Sequence, residues 1–206
     1  MSRKSSSGRW KQRQARDPYV RQARAAGWRS RAAFKLMEID DRERLLQRGA
    51  VVLDLGAAPG GWSQVAVQRV GTAGRVVAVD LLPMEPLAGV EFIRGDFTEP
   101  GVQDRILAAL GGQQADLVIS DMAPNISGNR SVDQPRAMEL VEAVLAEGLR
   151  FLKPGGTVLA KVFQGEGFEA LVAGARQRFG VVRIRKPASS RAESREMYLV
   201  AGNPRL

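Results

Sequence analysis

From Gly49 onward the chain alternates short apolar runs, each closed by Asp or Gly or ending at a turn, with longer stretches of mixed polarity. The runs Val51-Val-Leu-Asp-Leu55, Arg75-Val-Val-Ala-Val-Asp80, Val90-Glu-Phe-Ile93, Asp116-Leu-Val-Ile-Ser-Asp121 and Thr157-Val-Leu-Ala-Lys-Val-Phe163 have the length and β-branched content of strands. Near-continuous apolarity is the mark of strands covered on both faces. The pattern therefore predicts a mostly parallel sheet with helices on both sides. Two further runs, Val181-Val-Arg-Ile-Arg185 and Glu196-Met-Tyr-Leu-Val-Ala201, have no helix between them and are expected to form an antiparallel hairpin at one edge. Before the sheet, Ser30 reads as an N-cap for a helix reaching about Leu46, with Ala32, Leu36, Ile39 and Leu46 near helical spacing and Lys35 beside the apolar stripe. Another helix is expected to start at Pro135, bury Ala137, Leu140, Val141, Val144 and Leu145, and stop near Lys153-Pro-Gly-Gly156.

Charge divides this α/β pattern in two. Of the +9 net charge, residues 1–48 carry all of it, with 14 Lys/Arg against 5 Asp/Glu, while the remainder balances at 17 against 17. Within residues 1–31, Trp10, Tyr19 and Trp28 are interspersed among ten basic residues, which combines charge for phosphates with rings for stacking. This points to nucleic acid as the partner and to a basic arm, residues 1–29, ahead of one domain, residues 30–206. The 206 residues suit a single α/β domain. No apolar run is long enough for a bilayer span and no apolar stretch follows the basic start, so a cytoplasmic protein is expected.

Composition also narrows the chemistry. The absence of Cys and His removes disulfides, thiol nucleophiles, imidazole bases and the usual zinc ligands, and no metal is expected. With 25 Arg and only 6 Lys, each lysine is informative, because Lys alone of the two can supply a neutral amine. In open α/β sheets ligands bind beyond the carboxyl ends of the strands. There the first strand gives Asp54-Leu-Gly-Ala-Ala-Pro-Gly-Gly-Trp62, with glycines at 56, 60 and 61. That spacing departs from the Gly-x-Gly-x-x-Gly of pyrophosphate binding, which disfavours a nicotinamide oxidoreductase and favours a ligand without pyrophosphate. Asp80, at the next strand end, has the spacing to accept both hydroxyls of an adenosine ribose, and Asp96 offers a carboxylate to the adenine amino group. Lys161, inside an apolar strand, is expected in the cleft. Together with Asp121, with Glu196 at the start of what reads as the final edge strand, and with Lys35, it makes two lysines and two carboxylates able to converge.

The stretches Asp54–Gln64, Ser120-Asp-Met-Ala-Pro-Asn125, Lys161-Val-Phe-Gln-Gly-Glu-Gly-Phe168 and Arg185–Glu196 resemble the FtsJ/RrmJ family of ribosomal RNA ribose 2′-O-methyltransferases, and the match runs from about Ser30 to Ala201. The resemblance implies a Rossmann-like fold with a seven-stranded, mostly parallel sheet and S-adenosyl-L-methionine as cofactor. It implies that Lys35, Asp121, Lys161 and Glu196 form the catalytic set and that Gly60, Trp62, Asp80, Asp96 and Asp121 contact the cofactor. Lys161 is expected to remove the hydroxyl proton, oriented by Asp121, while Lys35 and Glu196 position the ribose and adjust the charge balance. The implied substrate is a uridine in the A-loop of large-subunit rRNA, within the 50S particle; separately, a monomer without an obligatory protein partner is expected. A transfer-RNA ribose methyltransferase is the alternative with the same chemistry, and a non-catalytic RNA-binding protein is disfavoured because all four catalytic positions are filled.

Overall fold

A computed structural model describes residues 17–124, 127–191 and 193–205. Seven strands, β1 (Val51–Leu55), β2 (Arg75–Asp80), β3 (Val90–Arg94), β4 (Ala115–Ser120), β5 (Leu152–Phe163), β6 (Phe179–Arg185) and β7 (Glu196–Pro204), form one sheet in the order β3-β2-β1-β4-β5-β7-β6. The first five are parallel. Strand β7 runs antiparallel between β5 and β6, so the expected hairpin is present. Its order differs from the sequence reading in one respect. The strand that Glu196 opens is interior and β6 is the edge, because the chain returns from β6 into the gap beside β5.

Helices cover both faces. On one side α2 (Ala32–Glu43) and α3 (Gly61–Val70) bury Ala33, Leu36, Ile39, Val65 and Ala66 against Val52, Leu117, Leu159 and Tyr198. On the other, α4 (Pro100–Ala109), α5 (Arg130–Phe151) and α6 (Phe168–Arg178) bury Ile106, Val141, Leu145, Leu171 and Val172 against Leu53, Val77, Val118 and Val158. Helix α2 is shorter than its apolar spacing predicts. Ser30 lies outside it, and Arg44 ends it in the left-handed conformation, after which the Asp40 carboxylate accepts the N–H of Leu46 and keeps that side chain in the core. Helix α5 begins five residues before Pro135, because Asn129 caps its first turn by accepting from Ser131 N, and the proline sits within the helix.

Of the expected arm, Arg3 to Arg16 and Trp10 lie outside the described residues. Residues 17–29 include α1 (Pro18–Ala25), which packs on α2 through the Tyr19 and Phe34 rings, 5.6 Å apart. Asp17 caps α1 and pairs with Arg31 and Arg191. Among the described residues no helix is long and apolar enough to cross a membrane.

Candidate active site

The parallel topology gathers the carboxyl ends of β1, β2, β3 and β4 around a cavity of about 550 Å³. Asp80, Asp96 and Asp121 all line it, with Gly56, Ala58, Leu81, Leu82 and Met122. The loop after β1 must be slim here. Gly56 has φ +76° and a Cβ on it would stand 1.9 Å from Met122 Cγ; Gly60, at φ +105°, would press on Arg29 Nη1 and Met84 Sδ, both 2.9 Å away. Two of the three carboxylates are held by backbone. Asp80 accepts Ala58 N and Leu82 N, each at 2.8 Å, one on each oxygen, and each oxygen retains a second lone pair. Asp96 Oδ1 accepts Thr98 N and Oγ1 at 2.9 and 2.7 Å.

Gly60 and Trp62 stand at the start of α3 rather than in the cavity lining. The Trp62 indole belongs to the core: Nε1 donates to Ala32 O at 2.8 Å and the ring packs 5.7 Å from that of Tyr198. Arg29 ties the cavity walls together, donating to Pro59 O in the glycine-rich loop and to Glu85 O and Pro86 O in the loop after β2.

Asp121, just past β4, joins this cavity to a buried cluster of charge. Lys161 Nζ lies 2.8 Å from Asp121 Oδ1, donates to Asp121 O at 2.7 Å and stands 3.6 Å from Glu196 Oε2. Glu196 Oε1 in turn receives Lys35 Nζ at 2.5 Å and Ser190 Oγ at 3.1 Å. The β5–β7 register explains the convergence. Lys161 faces Tyr198 and Phe163 faces Glu196, so residues 161, 196 and 198 share the sheet face that α2 covers, where Lys35 is. All four residues expected to converge therefore do so. Lys35, Lys161 and Glu196 are at most 9% exposed, burial that charges tolerate only when paired. For Glu196, burial raises the carboxyl, but the two ammonium groups and the Ser190 hydroxyl outweigh it and hold the group below its ordinary range.

Two members of the site had no assigned role in the sequence reading. Tyr198 is fully buried, its hydroxyl 2.6 Å from Asp121 Oδ1 and 3.3 Å from Glu196 Oε1; burial and these two carboxylates push the phenol well above its usual value. Its signal was a hydroxyl two residues after Glu196 in an apolar strand, hence on the same face. Asp54 lies beneath the glycine loop, 1% exposed and bonded to Ser63 Oγ at 2.6 Å. Burial, with the charges of Asp121 and Asp80 nearby, pushes it up to about 7 against the opposing bonds from Ser63. Its signal was an acid inside the first apolar run.

Residues 28–204 match the model of the FtsJ-like methyltransferase family. The chain is 57% identical to Ribosomal RNA large subunit methyltransferase E of Marinobacter nauticus, over 98% of this chain and 97% of the relative. It is 53% identical to the Pseudomonas aeruginosa protein of that name over the same shares. Among solved structures, a Plasmodium falciparum protein described as a ribosomal RNA methyltransferase superposes with TM-score 0.77 at 29% identity, over 86% of this chain and 98% of that one. Aeropyrum pernix fibrillarin, solved with S-adenosyl-L-methionine bound, shares the fold at TM-score 0.56 and 17% identity, over 84% of this chain and 74% of that one. A match across nearly the whole domain, together with relatives more than half identical over nearly their full length, establishes that the chain belongs to the FtsJ-like methyltransferase family.

Proposed function

We propose that this protein transfers the methyl group of S-adenosyl-L-methionine to the ribose 2′-hydroxyl of a uridine in large-subunit ribosomal RNA, in the A-loop at the 50S stage, acting in the cytoplasm as a monomer. The observation that carries the reading is the position of Asp121, which lines the strand-end cavity and binds Lys161 Nζ at 2.8 Å. A donor in that cavity and an acceptor hydroxyl at Lys161 would meet at one carboxylate. The relatives' shared name supports ribosomal RNA as the substrate.

The cavity fits S-adenosyl-L-methionine. Asp80 keeps a lone pair on each oxygen for the two ribose hydroxyls, Asp96 Oδ2 is left for the adenine amino group, and the glycine loop leaves room for close backbone approach. Gly60 and Trp62 contribute through the backbone at the start of α3, since the indole is engaged by Ala32. When bound, the cofactor supplies an electrophilic methyl group on a sulfonium.

The rest falls to the chain. With the cofactor supplying the methyl group, Lys161 Nζ would take the proton that the 2′-hydroxyl gives up. The ammonium then formed is stabilised by Asp121 Oδ1 and Glu196 Oε2. Tyr198 fixes Asp121 by donating to Oδ1, and Lys35 fixes Glu196. Orientation contributes much of the acceleration, because the two reactants are held in line rather than meeting by diffusion. The basic arm, residues 1–29, adds phosphate contacts, in keeping with its charge.

The test is transfer of labelled methyl from S-adenosyl-L-methionine to 50S subunits, naked large-subunit rRNA and transfer RNA, followed by mapping of the modified ribose. Label in the ribosomal substrates is expected. Label in transfer RNA alone would replace the substrate assignment with the alternative, leaving the chemistry intact.

A further inference from the structure

The catalytic cluster contains two lysines and two carboxylates, so its formal charge is zero, and both lysines are engaged by those carboxylates. A 2′-hydroxyl, however, sits on the carbon next to the one bearing the 3′-phosphodiester. Any ribose presented to Lys161 brings an anionic group within a few ångströms, and that charge needs cations other than Lys35 and Lys161.

Beside the cluster, on the Glu196 side, lies a cavity of about 560 Å³ lined by Asp17, Tyr19, Arg31, Ser189, Ser190 and Arg191, with the exposed Glu193 at its rim. Ser190 connects it directly to the site by its 3.1 Å bond to Glu196 Oε1. The two guanidinium groups converge on a single atom, Asp17 Oδ2, with Arg191 Nη2 at 3.1 Å and Arg31 bonded to it as well as to Ser189 O. Asp17 is 8% exposed. Ser189 Oγ is buried and has no hydrogen-bond partner among the described residues, although its residue lines the cavity. A buried hydroxyl left unpaired is destabilising, and an acceptor oxygen in the cavity would relieve it.

We propose that this cavity is the subsite for the RNA phosphodiester adjoining the target ribose, and that Asp17 is an internal stand-in for it, a carboxylate oxygen held between two arginines where a phosphate oxygen binds in the complex. The assignment rests on the reading of the protein as an RNA ribose methyltransferase. With Asp17 in place the cavity's charges cancel, two arginines against Asp17 and Glu193. Once Asp17 is displaced, the arginine pair gains an excess positive charge and presents its planar forks to the phosphate, while Ser189 Oγ gains an acceptor.

Two variants test it, with large-subunit rRNA and 50S particles as probes. Arg191 is 43% exposed in its side chain, so Arg191→Ala leaves the fold intact. It is expected to weaken RNA binding about tenfold and to reduce the slope of log affinity against log salt by about 0.7–0.9, with S-adenosyl-L-methionine affinity unchanged. Asp17→Asn keeps the acceptor that caps α1 through Tyr19 N, since Asn caps as well as Asp, but removes the competing charge. It is expected to tighten RNA binding severalfold, whereas an aspartate that merely held the arginines in place would, once neutralised, loosen it. Unchanged affinity and slope in Arg191→Ala, with an active parent, overturn the subsite alone. Unchanged or weaker binding by a folded Asp17→Asn protein overturns the stand-in. A parent that methylates neither RNA probe removes the functional reading and this proposal with it.

Discussion

The two halves of the site hold their charged groups by opposite means. In the half proposed for the cofactor, Asp80 and Asp96 each sit beyond a strand end and take N–H or O–H donors, Asp80 from its own turn and from the loop after β1 and Asp96 from its own turn, so each carboxylate is fixed independently of the other. In the acceptor half, Lys35, Asp121, Lys161, Glu196 and Tyr198 come from four separate parts of the chain and hold one another. The first arrangement is modular and the second collective. In the collective half, removing one member leaves a buried charge without its partner, whereas in the modular half the damage stays with the ligand.

Stability is where this contrast is expected to be widest. Glu196→Ala strips a carboxylate from both Lys35 and Lys161 and should cost about 3–5 kcal/mol in denaturant unfolding. The double change Lys35→Met with Glu196→Met should recover much of that loss, because the cost lies in the unpaired charge. A loss of less than about 1 kcal/mol, the level of a surface pair, would show that solvent reaches the cluster and would dissolve the distinction.

The next effect is kinetic. Lys161→Arg keeps the charge but supplies no neutral amine, so single-turnover methyl transfer should slow by at least about a hundredfold, while binding of both substrates stays near the parent value. A rate within about threefold of the parent would reduce Lys161 to a positioning charge, below what acid–base catalysis contributes.

In the cofactor half, Asp80→Ala should weaken S-adenosyl-L-methionine binding by roughly 1.5–3 kcal/mol, read by calorimetry, with little change in unfolding free energy. A large stability loss there would make this half collective too.

The smallest effect separates the halves by pH. Asp54, raised to about 7 from an ordinary 3.8, stays protonated in the folded state over a range where the unfolded chain has lost the proton. Its contribution therefore makes stability fall as pH rises from about 3.8 to about 7 and then level off. Glu196, lowered from an ordinary 4.5, contributes stability that is present above 4.5 and lost as pH falls through its folded value. Melting curves across pH should show Asp54→Asn more stable than the parent at pH 8, by something on the order of 1–2 kcal/mol. A variant that parallels the parent at every pH would remove Asp54 from the balance.

The cofactor half was the more legible part in the sequence. Asp80 and Asp96 follow single apolar runs, and the turn glycines stand in the same short stretch, so local spacing was enough to mark them. Strand positions and the terminal hairpin were legible for the same reason. Helix boundaries were less so: Pro135 is a starting signal by residue type, yet Asn129 supplies the cap six residues earlier. Leu140, expected in the core, is half-buried and lines the cavity. The boundary of the basic arm at residue 29 was drawn from charge, which says nothing of contacts. Tyr19 packs on Phe34, and Asp17 pairs across 174 positions with Arg191.

By itself, then, the sequence determined the strand and helix pattern, the strand-end carboxylates and the identity of two lysines and two carboxylates able to converge. These follow from periodicity and residue type, which act over a few residues. Only the tertiary structure decided that β7 lies between β5 and β6, and with that the pairing of Lys161 with Tyr198 and of Phe163 with Glu196. The register of an antiparallel pair fixes which side chains share a face, and a one-residue slip would turn Glu196 and Tyr198 away from Lys161. The same holds for Tyr198 as the donor to Asp121 and for Asp17 between its two arginines. Each partnership joins residues far apart in the chain, and its strength comes from burial that exists only once the sheet and its covering helices have closed over it.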